Sequence, residues 1–129
     1  MTEILKRKTD HIDLVLKQQL EEAARANPWD EVQLTHNALP ERDLLRFDIS
    51  TEFLGKRLRL PFLISSMTGG PFKAEKINAH LAEAAQALGI AMGVGSQRVA
   101  LLSAGSSGLT DNLRSWAPDV PLYANLGAA

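Results

Sequence analysis

Three apolar runs in this chain each end in a short sequence of small and polar residues. The runs are 61–64, 90–94 and 120–124, and the sequences that follow them are 65–70, 95–98 and 125–127. Continuous apolar strands of this kind are typical of parallel sheets covered by helices. Ligand sites of parallel α/β proteins lie at the carboxyl ends of the strands. The pattern therefore predicts an α/β fold with a site at that edge of the sheet.

The stretches between these runs have helical periodicity. Ile77, Leu81 and Leu88 mark one face of a helix that begins near Pro71 and ends before Gly89. A second helix is predicted at 107–116, and successive strands begin about 30 residues apart, which is the length of a βαβ unit. These connections predict parallel crossovers, either in a doubly wound sheet or in a barrel.

Two further elements are predicted before the first buried strand. Apolar spacing indicates a helix at 10–25, which Pro28 ends. Alternation at 48–53, followed by a turn and apolar residues at 58–62, predicts a short hairpin. A closed barrel of this type takes about 250 residues, so 129 residues are expected to form only its first part.

Charge and composition narrow the classes of function. The net charge of −1 provides no field for nucleic acid, and any anion must be held by a local cluster. No apolar run approaches the roughly 20 residues of a membrane helix, so we expect a cytoplasmic protein without a membrane partner. The chain has no cysteine, which excludes disulfides and thiolate chemistry.

Gly93 and Gly95 begin a sequence that partly matches a dinucleotide fingerprint. Arg98 stands where that fingerprint has its third glycine, so a Rossmann site is disfavoured. A hydroxyl from Ser96 and the Arg98 guanidinium at a strand end suit a phosphate. The alternative is an exposed arginine beside a structural turn.

Hydroxyl groups and a flexible apolar side chain follow the first buried strand. Met67 can lie against a planar heterocycle while Ser66 and Thr68 meet its polar edge, although small residues can also form an ordinary turn. Asn125 at the third strand end adds an amide that both donates and accepts hydrogen bonds.

Lys6, Arg7 and Lys8 concentrate positive charge at the predicted start of the first helix, close to His11. Cations are poorly placed there by the helix dipole, so they are either solvated or serve a bound anion. The three histidines of the chain have no metal-ligand spacing.

Five segments taken together resemble the type 2 isopentenyl-diphosphate Δ-isomerase family. They are 7–12, 36–41, 62–70, 92–98 and 123–127. The resemblance implies a TIM (β/α)8 barrel that binds FMN, with NAD(P)H as reductant and Mg²⁺. It also implies the interconversion of isopentenyl diphosphate and dimethylallyl diphosphate in isoprenoid biosynthesis, with reduced FMN in proton transfer, and a homo-oligomer.

The same resemblance assigns roles to individual residues. The residues expected to contact the flavin are Ser66, Met67, Thr68, Ser96 and Asn125. Those expected to bind the diphosphate are Arg7, Lys8, Ser96, Gln97 and Arg98. His11 lies in the first of these motifs, and its role is left open.

The resemblance covers only the first part of the family's barrel. We expect one incomplete domain, with an N-terminal extension at about 1–60 and three βα units at about 61–129. The family's magnesium-binding glutamate lies further on, so no metal ligand is assigned, and the chain alone is expected to bind FMN poorly and to be inactive. Two alternatives are an FMN-dependent oxidoreductase with the same barrel and a non-catalytic half-barrel that pairs through open edges.

Overall fold

A computed structural model describes residues 3–17, 27–66, 69, 72–98 and 111–127 of the chain. Its helices are α1 (Glu3–Lys17), α2 (Phe72–Leu88) and α3 (Asp111–Trp116). Its strands are β1 (Thr51–Phe53), β2 (Lys56–Leu58), β3 (Leu63–Ile64), β4 (Ala91–Ser96) and β5 (Leu122–Asn125). Two 3₁₀ helices, Pro28–Glu31 and Leu44–Arg46, lie between α1 and β1.

The first helix begins earlier than the sequence pattern predicts. α1 starts at Glu3 instead of about residue 10, because Leu5, Lys6 and Arg7 are good helix formers. The cations at positions 6–8 therefore lie within the helix, not at its start. The rest of the predicted helix, 18–25, lies outside the described residues.

The short hairpin is antiparallel and pairs Phe53 with Lys56 across its turn. The turn residues Leu54 and Gly55 both have positive φ values, of 52° and 71°. Two central residues with positive φ are the requirement of the type I′ turn, whose twist matches that of the flanking strands. The hairpin leads by way of 59–62 into β3.

The main sheet is parallel and has the strand order β3-β4-β5. Leu63 pairs with Ala91, and Met92 pairs with Leu122. The prediction of an α/β chain with parallel strands is therefore confirmed. Of the second predicted helix, the structure describes only Asp111–Trp116, since 101–110 lie outside the described residues.

Helices α2 and α3 cover one face of this sheet and form the core with it. The buried members of the core are Ala82, Ala85, Ile90, Met92, Val94, Leu113, Ala117 and Val120. Met92 and Val94 alternate along β4 and so point to the same, helix-covered face. The opposite face of β4 carries Gly93, whose surroundings belong to the site described below.

The end of α2 is fixed to the segment that enters the sheet. Gly89 follows the helix with φ of +65°, and its carbonyl accepts a hydrogen bond from the Arg59 amide at 2.8 Å. The Arg59 guanidinium donates to the carbonyl of Ala87 in the last turn of the helix. A cation at this place satisfies carbonyls that the helix leaves free and complements its dipole.

Candidate functional site

The carboxyl ends of the three parallel strands meet at one edge of the sheet. Ser66 lies two residues beyond β3, Ser96 is the last residue of β4, and Asn125 is the last residue of β5. Because β4 is the central strand, Ser96 lies between the other two ends. Three of the five predicted flavin contacts are thus brought to one edge, and the other two, Met67 and Thr68, lie outside the described residues.

A bulge in β4 aligns Ser96 with Asn125. Val94 pairs with Ala124, but Ser96 pairs with Asn125, so Gly95 is an extra residue on the β4 side. Bulges of this kind re-aim side chains next to functional sites. Residues in register on parallel strands point to the same face, and Asn125 shares its face with Tyr123 two residues earlier. The bulge therefore brings the Ser96 hydroxyl to the face of Tyr123.

Gly93 lets two side chains approach the backbone on that same face. A Cβ atom at this position would lie 2.7 Å from Cε2 and 2.9 Å from Cζ of Tyr123, and would also collide with Oγ of Ser66. The Tyr123 ring meets the Phe53 ring edge to face, with centroids 6.5 Å apart. A glycine inside a strand is a sequence sign of such close approach, but the apolar run conceals it.

The Lys8 side chain extends from α1 to Gly69, in the segment that follows β3. Its Nζ lies 3.4 Å from the position that a Cβ on Gly69 would occupy, and the backbone of Gly95 lies 3.5 Å from the same point. Burial, and secondarily the charge of Arg7, lowers the pKa of Lys8. Both causes disfavour the ammonium ion, and a bound anion would oppose both. This end of the sheet is therefore suited to a negatively charged ligand.

An ion pair joins α1 to the start of α2. Lys73 Nζ lies 2.7 Å from Asp13 Oδ1, with both side chains partly exposed. The hydrogen bond from Lys73 is the main cause that lowers the pKa of Asp13. Asp13 lies five residues beyond Lys8, so the pair helps to orient the helix that carries the ammonium.

Arg98 directs a second cation toward the end of β5. Its amide donates to Oγ of Ser96 at 3.3 Å, which orients the backbone after β4. Its Nη2 lies 3.9 Å from the position of a Cβ on Gly127. The guanidinium is exposed and reaches over a residue beyond Asn125, on the same edge as Ser96.

The remaining predicted residues have other surroundings. Arg7 is exposed on α1 and, with Glu3, Lys6 and Asp10, lines an open cleft of about 500 Å³. The His11 side chain is exposed on the same helix. Gln97 is buried, and its Nε2 donates to the carbonyl of Gly95 at 2.8 Å. Gln97 is therefore bonded within the protein through its Nε2, and the role in binding the diphosphate that the resemblance assigns to it stays a prediction.

Some contacts of this region were not identified from sequence. These are the contacts of Asp13 and Lys73, which meet across 60 positions of the chain, whereas Gly69, Gly93 and Tyr123 lie in segments that the sequence singled out but make close approaches that depend on strand register. Among the described residues, no three His, Asp or Glu side chains converge as metal ligands. None of the described helices has the length and apolar character required to cross a membrane.

A parallel βαβ arrangement with polar strand ends and a cation above them is typical of α/β proteins that bind phosphorylated ligands. The sequence model of one such group, the FMN-dependent dehydrogenases, matches residues 2–107. The chain belongs to the FMN-dependent dehydrogenase family.

Individual relatives agree with the resemblance drawn from the five segments. The chain is 58% identical over 124 residues to an isopentenyl-diphosphate delta-isomerase of Xanthobacter autotrophicus, covering 96% of this chain and 36% of the relative. It is 55% identical over 126 residues to a protein of the same name from Stutzerimonas stutzeri, covering 98% and 36%. The chain thus spans about a third of the length of the curated relatives it matches.

Proposed function

We propose that this chain supplies the N-terminal part of an enzyme that interconverts isopentenyl diphosphate and dimethylallyl diphosphate. The observation that best supports this function is the Lys8 ammonium beside Gly69, which itself lies close to the backbone of Gly95 next to Ser96. Arg98 adds a second cation at the neighbouring strand end. Two cations at polar strand ends suit a substrate with several negative charges.

The fold proposed for the whole site is a TIM (β/α)8 barrel. β3, β4 and β5 are its first three strands, and α2 and α3 belong to its outer helices, in one domain preceded by an extension at about 1–60. The parallel order and the match to the FMN-dependent dehydrogenase family support this assignment. In such barrels the active site lies at the carboxyl ends of the strands, which is where the residues described above lie.

The described residues fit a flavin at this edge. Ser66 and the in-register pair of Ser96 and Asn125 offer hydroxyl and amide groups on the face where Ser66 and Tyr123 pack against Gly93, and Met67 and Thr68 complete the proposed contacts. When bound in its reduced form, FMN supplies the acid and base chemistry that moves the double bond. The chain's own residues bind and orient the cofactor and hold its polar edge.

The diphosphate is proposed to bind where Lys8, Arg98 and Arg7 provide positive charge. Lys8 contributes a partly desolvated ammonium, and the two arginines contribute planar donors that match phosphate oxygens. The Ser96 hydroxyl is proposed to donate a hydrogen bond to the diphosphate at the same strand end. His11 lies near the cations on α1. An anion here would favour the ammonium form of Lys8 and thereby raise its pKa.

Further properties of the enzyme depend on the resemblance and the relatives alone. They are NAD(P)H as the flavin reductant, Mg²⁺, a cytoplasmic location and a homo-oligomeric state. The described residues hold no cluster that could bind Mg²⁺, and we assign no ligand for it to them.

A chimeric enzyme tests the proposal. Residues 1–129 replace the matching segment of the Xanthobacter relative, to which they are 58% identical, and isomerisation is measured with reduced FMN. We expect turnover, with Lys8→Met and Arg98→Met each raising KM by roughly 10- to 100-fold, because each removes a charged hydrogen bond to the diphosphate. The control Arg46→Met removes a charge whose side chain is 87% exposed and pairs with Asp43, so KM should not change.

A folded, flavin-loaded chimera without isomerase activity would contradict the proposal. So would equal KM values for the Lys8, Arg98 and Arg46 variants. Oxidation of a 2-hydroxy acid by the same chimera, with reduction of its flavin, would favour the oxidoreductase alternative instead.

A further inference from the structure

Gln97 differs from the other polar residues at the strand ends because its side chain is buried. Only 8% of its surface is exposed, and Nε2 donates a 2.8 Å hydrogen bond to the carbonyl of Gly95. Its backbone amide donates to the carbonyl of Asn125 at 3.0 Å. One residue thus bonds to both strands of the β4–β5 pair.

These two bonds lie directly at the bulge. Gly95 is the extra residue between Val94 and Ser96, and an extra residue of this kind has no partner in the ladder. A buried carbonyl without a donor is costly, and the Gln97 amide group supplies that donor. Since only the NH₂ half of a carboxamide can donate to a carbonyl, this bond also fixes the orientation of the side chain.

We infer that Gln97 is a positioning residue that holds the Gly95 bulge and so keeps Ser96 in register with Asn125. The backbone of Gly95 is also close to Gly69, beside which the Lys8 ammonium lies, so a displaced bulge would disturb both parts of the edge. The consequence for catalysis rests on the proposed function, whereas the effect on the bulge does not.

Hydrogen exchange in the 129-residue chain tests this inference without any ligand. Gln97→Met keeps the side-chain volume but removes the donor. We expect the protection factor of the amide at position 97, measured by NMR near pH 7, to fall about tenfold, as a lost buried hydrogen bond predicts.

Gln97→Glu distinguishes the loss of a hydrogen-bond donor from a change in side-chain packing. Near neutral pH the introduced carboxylate has no proton to donate to the carbonyl of Gly95, so protection should fall about as far as in Gln97→Met. Burial raises the pKa of such a group, and its protonated form can donate again. Protection should therefore recover in Gln97→Glu below about pH 5 and remain low in Gln97→Met.

The Met92 amide is the internal control, since it donates to the carbonyl of Pro121 at 3.0 Å in the same β4–β5 pair. Unchanged Met92 protection beside lost protection at position 97 supports the inference. An equal fall at both amides would indicate general destabilisation and overturn it. Unchanged protection at position 97, or no recovery on acidification of Gln97→Glu, would overturn it as well.

The outcome of this test does not depend on whether the proposed function is correct. Exchange at the bulge is measured without flavin or substrate, whereas the chimeric enzyme reports turnover. An inactive chimera with a pH-dependent bulge would leave the Gln97 inference standing while removing the isomerase proposal.

Discussion

Two regions of this molecule are stabilised in opposite ways. Every residue from 27 to 49 is exposed, and turns there are held by side chains that accept hydrogen bonds from nearby amides, such as Asn27 from Trp29 at 3.0 Å and Asp43 from Leu45 at 3.0 Å. In the unit formed by the parallel sheet with α2 and α3, Met92 and Ala82 have no exposed surface and contact residues far away in sequence.

This contrast shows that the contacts which fix local turns are not the contacts which stabilise the fold. A cap satisfies one or two amides and fixes a turn, but the free energy of folding comes chiefly from burial of apolar surface. The candidate site depends on the second kind of contact, since its residues meet only through strand pairing and the docking of α1. Changes in the sheet unit should therefore alter both stability and the site, and changes at 27–49 should alter neither.

The largest effect is expected from the core. Leu113→Ala removes a side chain that is 1% exposed and packs between the sheet and the helices, so it should lower the free energy of unfolding by about 2–5 kcal/mol. Leu45→Ala, the matched control, removes a side chain that is 95% exposed and should change it by less than about 0.5 kcal/mol. Urea unfolding measures both, and similar losses would contradict the contrast.

An intermediate effect is expected at Gly93. Gly93→Ala places a methyl group against Ser66 and the Tyr123 ring and should cost about 1–3 kcal/mol of unfolding free energy by overpacking. In Gly127→Ala the nearest atom, of Arg98, lies 3.9 Å away, so thermal unfolding should be nearly unchanged. If Gly93→Ala is as stable as Gly127→Ala, then Ser66 and Tyr123 do not pack against the backbone at Gly93.

A smaller effect is expected at the ion pair that orients α1. The pKa of Asp13 is lowered in the folded state, so the contribution of the pair is present above the ordinary carboxyl pKa and is lost as pH falls through the folded value. Asp13→Asn should remove this part of the acid dependence, whereas Asp10→Asn on the same helix should keep it. The amide chemical shifts of α1, followed by NMR between about pH 6 and pH 3, measure it. Identical profiles for the two variants would exclude the pair as the anchor of α1.

The smallest effect is expected at the first 3₁₀ helix. Asn27→Ala removes the acceptor of the Trp29 amide in a capping box, so exchange of that amide should rise several-fold. The midpoint of urea unfolding should stay the same because the segment is exposed. A shifted midpoint would show that 27–49 is coupled to the core.

The parallel strands could be predicted from the sequence because their apolar runs are continuous and their ends are polar. It could not reveal the bulge at Gly95, since one extra residue in a ladder leaves no trace in composition. The start of α1 was missed because Thr9 and Asp10, which have low helix propensity, follow its first turns. The buried orientation of Gln97 and the reach of Lys8 to Gly69 depend on contacts between distant segments, which periodicity does not encode.

The most direct test of the site is an NMR titration of the 129-residue chain with inorganic pyrophosphate. We expect the largest amide shifts at Gly69, Ser96 and Arg98, smaller shifts at these positions in Lys8→Met, and unchanged shifts for the amides of 27–49. Largest shifts within 27–49, or shifts at the strand ends that Lys8→Met leaves unchanged, would contradict this expectation.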